Sequence, residues 1–124
     1  MIEAFKNERV QLITMQEKLP VLPESKRRAI EEFVRILKEK YGDRVKKIVL
    51  YGSVARGDFE EDSDIDVLVV ADGISLKEIS KLTSQILLNT GEVISLVVRA
   101  SRELERHRHY LFYRTVLEEG VVLE

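Results

Sequence analysis

Apolar and polar positions alternate along this chain in a way that separates one leading helix from a run of short strands and helices. Residues 1–19 carry Ile2, Phe5, Leu12, Ile13 and Leu19 at the spacing of a moderately amphipathic helix, and Pro20 and Pro23 end it. Residues 1–23 are therefore expected to be a helical appendage to a core over 24–124. From Glu24 to Tyr41, Ile30, Phe33, Val34, Leu37 and Tyr41 recur at helical spacing, with Gly42 where a helix C-terminus favours glycine. Val45 to Tyr51 reads as a strand, and a glycine-bounded turn from Gly52 to Gly57 follows it. Ile65 to Ala71 is apolar on both faces after its start, as a central, covered strand would be. Ser75 and Glu78 make a capping-box pattern that opens a helix through Leu88, with Leu76, Ile79, Leu82 and Ile86 on one face and Gly91 past its end. Val93 to Val98 is a third strand, Ser101 to about Val116 a last helix, and Gly120 to Leu123 a short edge strand. This order, without repeats or linkers, predicts one α/β layered unit.

Composition narrows the chemistry. A chain of 124 residues suits a single domain. No apolar run approaches the ~18 residues of a membrane span, and the polar N-terminus lacks the apolar centre of a signal peptide, so a cytoplasmic location without membrane contact is expected. The absence of cysteine excludes disulfides and thiolate-bound metals, and two histidines are too few for a histidine-based zinc site. Metal chemistry would therefore use oxygen ligands, the preference of Mg²⁺ and Mn²⁺. A net charge of −2 supplies no field to draw DNA or RNA, so no direct nucleic-acid partner is expected. Abundant charge with scarce Asn and Gln fits a thermophilic source.

Two devices stand close together in the middle of the chain. The first is Gly52-Ser53-Val54-Ala55-Arg56-Gly57, where a strand gives way to a small helical turn. Glycine permits a sharp turn and close backbone approach, and Ser53 offers a hydroxyl beside backbone N–H groups, a combination that binds phosphate oxygens. The second is Asp64-Ile65-Asp66, whose carboxylates project from one face if the segment is extended. Two such anions repel unless a cation lies between them, and Mg²⁺ held there could bridge triphosphate oxygens. Each feature alone has a plainer explanation: a polar strand start, an ordinary turn, or Arg56 pairing with Asp58 or Glu60 at the surface. Their placement on consecutive strands of one unit favours the chemical explanation.

Gly52-Ser53, ten intervening residues and Asp64-x-Asp66 together resemble the signature of the DNA polymerase beta-like nucleotidyltransferase superfamily. The flanks Leu50-Tyr51 and Val67-Leu68-Val69 are similar to its minimal nucleotidyltransferase branch, and a looser likeness runs from about Glu24 to the Glu119–Leu123 terminus. The resemblance implies a nucleotidyltransferase-like α/β fold, a short mixed sheet with helices packed on one side. It implies Mg²⁺ (or Mn²⁺) on the catalytic pair Asp64 and Asp66, with ATP as substrate held by Gly52, Ser53 and Arg56. Members of this branch are often antitoxins paired with an all-helical HEPN ribonuclease toxin, and some transfer AMP from ATP to a tyrosine of that partner. This role is the expectation here; a homo-oligomer is left open.

One position departs from the pattern. The superfamily carries a third carboxylate on a later strand, and alignment of Val93 to Val97 with that strand puts Ser95 in its place. Glu92, the nearest acid, has the opposite pleat parity. The alternative is thus a catalytically weak or inactive nucleotide-binding antitoxin that acts by protein contact. Transfer to a small molecule is less favoured, because so short a chain offers no second domain to enclose an acceptor. The last helix is locally basic, with Arg99, Arg102, Arg106, Arg108, Arg114, His107 and His109; it is either a contact for phosphate or an acidic partner, or a solvated face balanced by Glu103 and Glu105.

Overall fold

The computed structural model describes residues 19–124, so the N-terminal helix expected ahead of Pro20 lies outside the described residues. Helix α1 (Glu24–Tyr41) buries Ala29, Ile30, Phe33, Val34, Leu37 and Tyr41, the stripe that its periodicity predicts, and Lys26 lies on the same stripe. A 3₁₀ turn (Gly42–Arg44) leads into β1 (Val45–Tyr51), a short helical turn α2 (Gly52–Arg56) and β2 (Ile65–Ala71). Helix α3 (Leu76–Thr90), β3 (Ile94–Arg99), α4 (Ser101–His107), α5 (Leu111–Glu119) and β4 (Val121–Val122) complete the chain.

The four strands form one mixed sheet in the order β3-β2-β1-β4. β1 runs antiparallel to β2 and to β4, while β2 and β3 are parallel. A parallel pair cannot be joined by a tight turn, and α3 supplies the crossover that it requires. Every residue of β2 is buried except Asp66, which is half-buried. A lone acid in an otherwise apolar central strand is costly unless it is solvated or paired.

Helices α1 and α3 cover one face of the sheet, where Ile30, Phe33 and Leu37 meet Ile48, Leu50, Val67, Val69, Ile79 and Ile86 in the main core. The opposite face carries a smaller cluster of Val49, Leu68 and Val70 with Val116 of α5. The capping box at Ser75 and Glu78 forms as expected, and Gly91 closes α3 in the left-handed conformation.

The single helix expected over Ser101–Val116 is instead two. The Tyr110 N–H donates to the His107 carbonyl at 2.9 Å, and Tyr110 takes an extended ψ of 143° before α5 starts. This break turns α5 back onto the sheet so that Tyr113 and Val116 are buried; a straight continuation would carry both into solvent. Helix α4 is anchored by Asp72, whose Oδ1 accepts from the Ser101 N–H at 2.9 Å and whose Oδ2 accepts from the Ser101 hydroxyl at 2.8 Å. Those two hydrogen bonds hold the Asp72 carboxyl below the usual carboxylate range.

Candidate active site

The site forms where β1 hands over to α2. Gly52 has φ +74°, a left-handed conformation that side chains rarely adopt. A Cβ on Gly52 would also collide with Asp66 Oδ2 and come within 3.1 Å of Asp66 Cγ. The turn therefore lies directly against the carboxylate, and only glycine leaves room for both. Gly57 closes the turn: its N–H and that of Asp58 both donate to the Ser53 carbonyl, at 2.9 and 3.2 Å.

Asp64 lies just ahead of β2, exposed, and Asp66 is the second residue of the strand, half-buried; Ile65 between them is fully buried in the main core. The alternation sends both acids to the face opposite α1 and α3. Strand register then lines up three neighbours across that face, with Tyr51 paired to Asp66 on one side and Ser95 paired to Asp66 on the other. Burial pushes the Asp66 carboxyl up and the charge of Asp64 pushes it further, while the Arg56 guanidinium opposes both. The Tyr51 hydroxyl is also raised, first by burial and then by Asp66, against the charge of Arg99.

Arg56 serves two neighbours. Its Nε donates to Asp58 Oδ2 at 3.2 Å in an exposed pair, and its charge is also felt at Asp66. Exposed pairs of this kind are worth little, so the guanidinium is available to an incoming anion. Beside the turn, Phe112 meets the Tyr51 ring edge-on at 5.7 Å. A small cavity of about 150 Å³ there is lined by Tyr51, Gly52, Arg56 and Phe112.

The structure thus brings Gly52, Ser53, Arg56, Asp64 and Asp66 together. Ser95 pairs with Asp66 across β2 and β3, and its side chain is exposed. Glu92 points elsewhere: its Oε1 pairs with Lys26 Nζ at 2.7 Å and its Oε2 accepts from the Ser25 hydroxyl at 2.6 Å. Among the described residues no group of three or more His, Cys, Asp or Glu could hold a metal ion. Two carboxylates still suit Mg²⁺, which takes one or two from a protein and completes its octahedron with phosphate oxygens and water. A pair of like charges, one of them pushed up by burial and then by its neighbour, is chemically suited to such a cation.

The basic C-terminal residues separate. Arg99 is half-buried and donates through Nε to the Tyr113 hydroxyl at 2.7 Å. Arg102, Arg106 and Arg114 are exposed, and Arg108 pairs with Glu105 at 3.2 Å. Lys26 is the residue that the sequence reading passed over. Its signal was present, because 26, 30, 33 and 37 share one face of α1 and the other three are core.

A family model described as nucleotidyltransferase domain matches residues 30–123. A protein of Methanocaldococcus jannaschii provisionally named a protein adenylyltransferase is 46% identical over 96 residues, covering 77% of this chain and 95% of that one. A solved structure provisionally identified as a minimal nucleotidyltransferase matches at TM-score 0.57 and 28% identity, over 79% of this chain and 92% of that one. A toxin–antitoxin crystal structure with AMP-PNP shares the fold at TM-score 0.57 and 21% identity, over 76% of this chain and 72% of that one.

Proposed function

The chain belongs to the nucleotidyltransferase domain family and is a nucleotidyltransferase; from that premise we propose that it moves AMP from ATP to a tyrosine hydroxyl of a HEPN-type toxin and so acts as its antitoxin. One observation carries the proposal: the Gly52 backbone packs against the Asp66 carboxylate, so a phosphate-binding turn and an acid pair share one small site. Asp64 and Asp66 would hold Mg²⁺ (or Mn²⁺) beside the triphosphate, and the ion would neutralise phosphate charge and polarise the phosphorus. Gly52 lets the triphosphate approach the backbone, the Ser53 hydroxyl donates to a phosphate oxygen, and Arg56 exchanges Asp58 for phosphate. The acceptor oxygen attacks the α-phosphorus, a P–O bond forms to AMP, and the bond to pyrophosphate breaks. The acceptor's proton passes to solvent, because Ser95 stands where a base would be needed.

Support for a protein acceptor comes from the adenylyltransferase name of the M. jannaschii relative, and support for a toxin partner from the fold shared with the toxin–antitoxin structure. Residues 24–124 are the transferase domain in this reading, with 1–23 as its appendage. No helix among the described residues is long and apolar enough to cross a membrane, and we place the reaction in the cytoplasm.

The test is transfer from ATP labelled at the α-phosphorus, with Mg²⁺ and a HEPN-type protein from a neighbouring gene as the acceptor. Label should appear on a partner tyrosine and disappear with Asp64→Asn or Asp66→Asn. Label on RNA or a small molecule alone would refute the antitoxin role. A second reading, neutralisation by contact with bound nucleotide and little turnover, is favoured by Ser95. It requires that the wild type still silences the toxin's ribonuclease activity when ATP is replaced by an analogue that cannot give up its AMP.

A further inference from the structure

Lys26 is the one charged side chain among the described residues that is fully buried, at 1% exposure. An aliphatic residue would continue the apolar stripe of α1 at no desolvation cost, whereas burying an ammonium costs several kcal/mol before its partners repay it. Its partners lie far away in sequence. Nζ donates to Glu92 Oε1 at 2.7 Å and to the Ser63 carbonyl at 2.9 Å, and Glu92 is held in turn by the Ser25 hydroxyl at 2.6 Å. The ammonium also sits 5.9 Å from the centre of the Phe59 ring.

The Ser63 carbonyl belongs to the peptide that enters Asp64. The peptide that leaves Asp64 is held too, because the Ile65 N–H donates to the Val93 carbonyl at 2.8 Å. Both peptide planes flanking Asp64 are thereby fixed, and with them its φ and ψ. Asp64 needs this, being exposed and outside the hydrogen-bonded span of β2. A cleft of about 530 Å³ lies beside it, between the first turn of α1, the Glu61–Ser63 loop and the Gly91–Val93 turn. We infer that Lys26, oriented by Glu92 and Ser25, is a positioning residue that sets the Asp64 carboxylate against Asp66 for cation binding. The inference rests on Asp64 being a ligand of the metal.

The test uses the full chain with Lys26→Met and Glu92→Leu combined, which removes the ion pair without stranding either charge. Replacing a buried pair with apolar side chains of similar volume often leaves stability intact, so the double variant should melt cooperatively near the wild type. Mn²⁺ affinity by calorimetry, with and without ATP, should fall about 10–100-fold, the usual cost of losing a group that orients a ligand. In the metal-free protein, exchange of the Ile65 amide should accelerate about tenfold relative to the Leu68 amide in mid-strand. A purely structural role would move the melt and leave that ratio alone. Unchanged Mn²⁺ affinity together with an unchanged ratio overturns the inference. If the double variant does not fold, Ser25→Ala loosens Glu92 and must shift both readouts in the same direction; no shift there also overturns it. A wild type that binds no Mn²⁺ sinks the reading of the site itself, a result distinct from a wild type and double variant that bind equally.

Discussion

Gly52 answers to two independent demands, a backbone at φ +74° and a neighbouring carboxylate where a Cβ would go. Gly52→Ala should therefore lower stability by about 1–3 kcal/mol in urea unfolding and displace Asp66, abolishing nucleotide binding. Ser53→Ala removes one hydroxyl contact while leaving the backbone, so calorimetry should show a smaller loss of about 1–2 kcal/mol of ATP binding. Asp66 makes the opposite prediction for stability. Its folded pKa is raised by burial and by Asp64, so its contribution is favourable below its unfolded pKa and is lost as pH rises through the raised folded value. The metal-free Asp66→Asn protein should melt above the wild type at neutral pH, with the gap narrowing as pH falls through the raised folded pKa and gone below the ordinary carboxylate range. Added Mg²⁺ and ATP should stabilise the wild type and leave the variant unmoved. Ser95 is paired with Asp66 across β2 and β3, so Ser95→Asp restores an acid at the site. General-base help is worth about 10²–10⁴-fold, and the transfer rate should rise toward that range when metal is present. A destabilised Ser95→Asp protein with no gain in rate would favour the contact-only antitoxin.

At the level of elements, local rules did most of the work. The Ser75 hydroxyl accepts from the Glu78 N–H at 3.2 Å and Glu78 Oε1 accepts from the Ser75 N–H at 3.3 Å. Ser75→Ala should cost about 1 kcal/mol by thermal melting, the usual value of a lost helix cap. The C-terminal helices show where local rules stop. No glycine or proline marks the break between α4 and α5, and helix-compatible residues run through it. What decides the break is tertiary: Tyr113 and Val116 can be buried only if α5 turns back, and His107 and Tyr110 stack across the corner at 4.8 Å. The basic charges read from that segment likewise have different fates, since only packing tells that Arg99 holds the Tyr113 hydroxyl while Arg102 and Arg106 face solvent.

Across the whole molecule, the Lys26–Glu92 pair ties α1 to the loop before β2 and to the start of β3, over a sequence separation of 66. Lys26→Met alone leaves Glu92 without its cation and should cost about 3 kcal/mol, the low end for a broken buried pair, because Glu92 keeps 13% of its side chain exposed. Adding Glu92→Leu should recover most of that loss in urea unfolding; a double variant no more stable than the single one would show the two charges to be uncoupled. Over residues 24–124 the sequence by itself determined the element types and put forward the candidate site's two halves. Hydrophobic period, caps and glycine turns act within a few residues, and Gly52-Ser53 and Asp64-x-Asp66 are each contiguous. Its resemblance to the superfamily singled out Ser95 by alignment, and strict alternation of a strand's faces gave Glu92 the opposite parity. Only the tertiary structure decided that Ser95 stands beside Asp66, that Glu92 is occupied by Lys26, and that Gly52 touches the Asp66 carboxylate. Those facts depend on register between strands joined through a helix, where a slip of one residue exchanges the two faces. No short-range pattern carries that register; it is settled when α1 and α3 close over the sheet and one alignment buries Ile65, Val67 and Ile94 together.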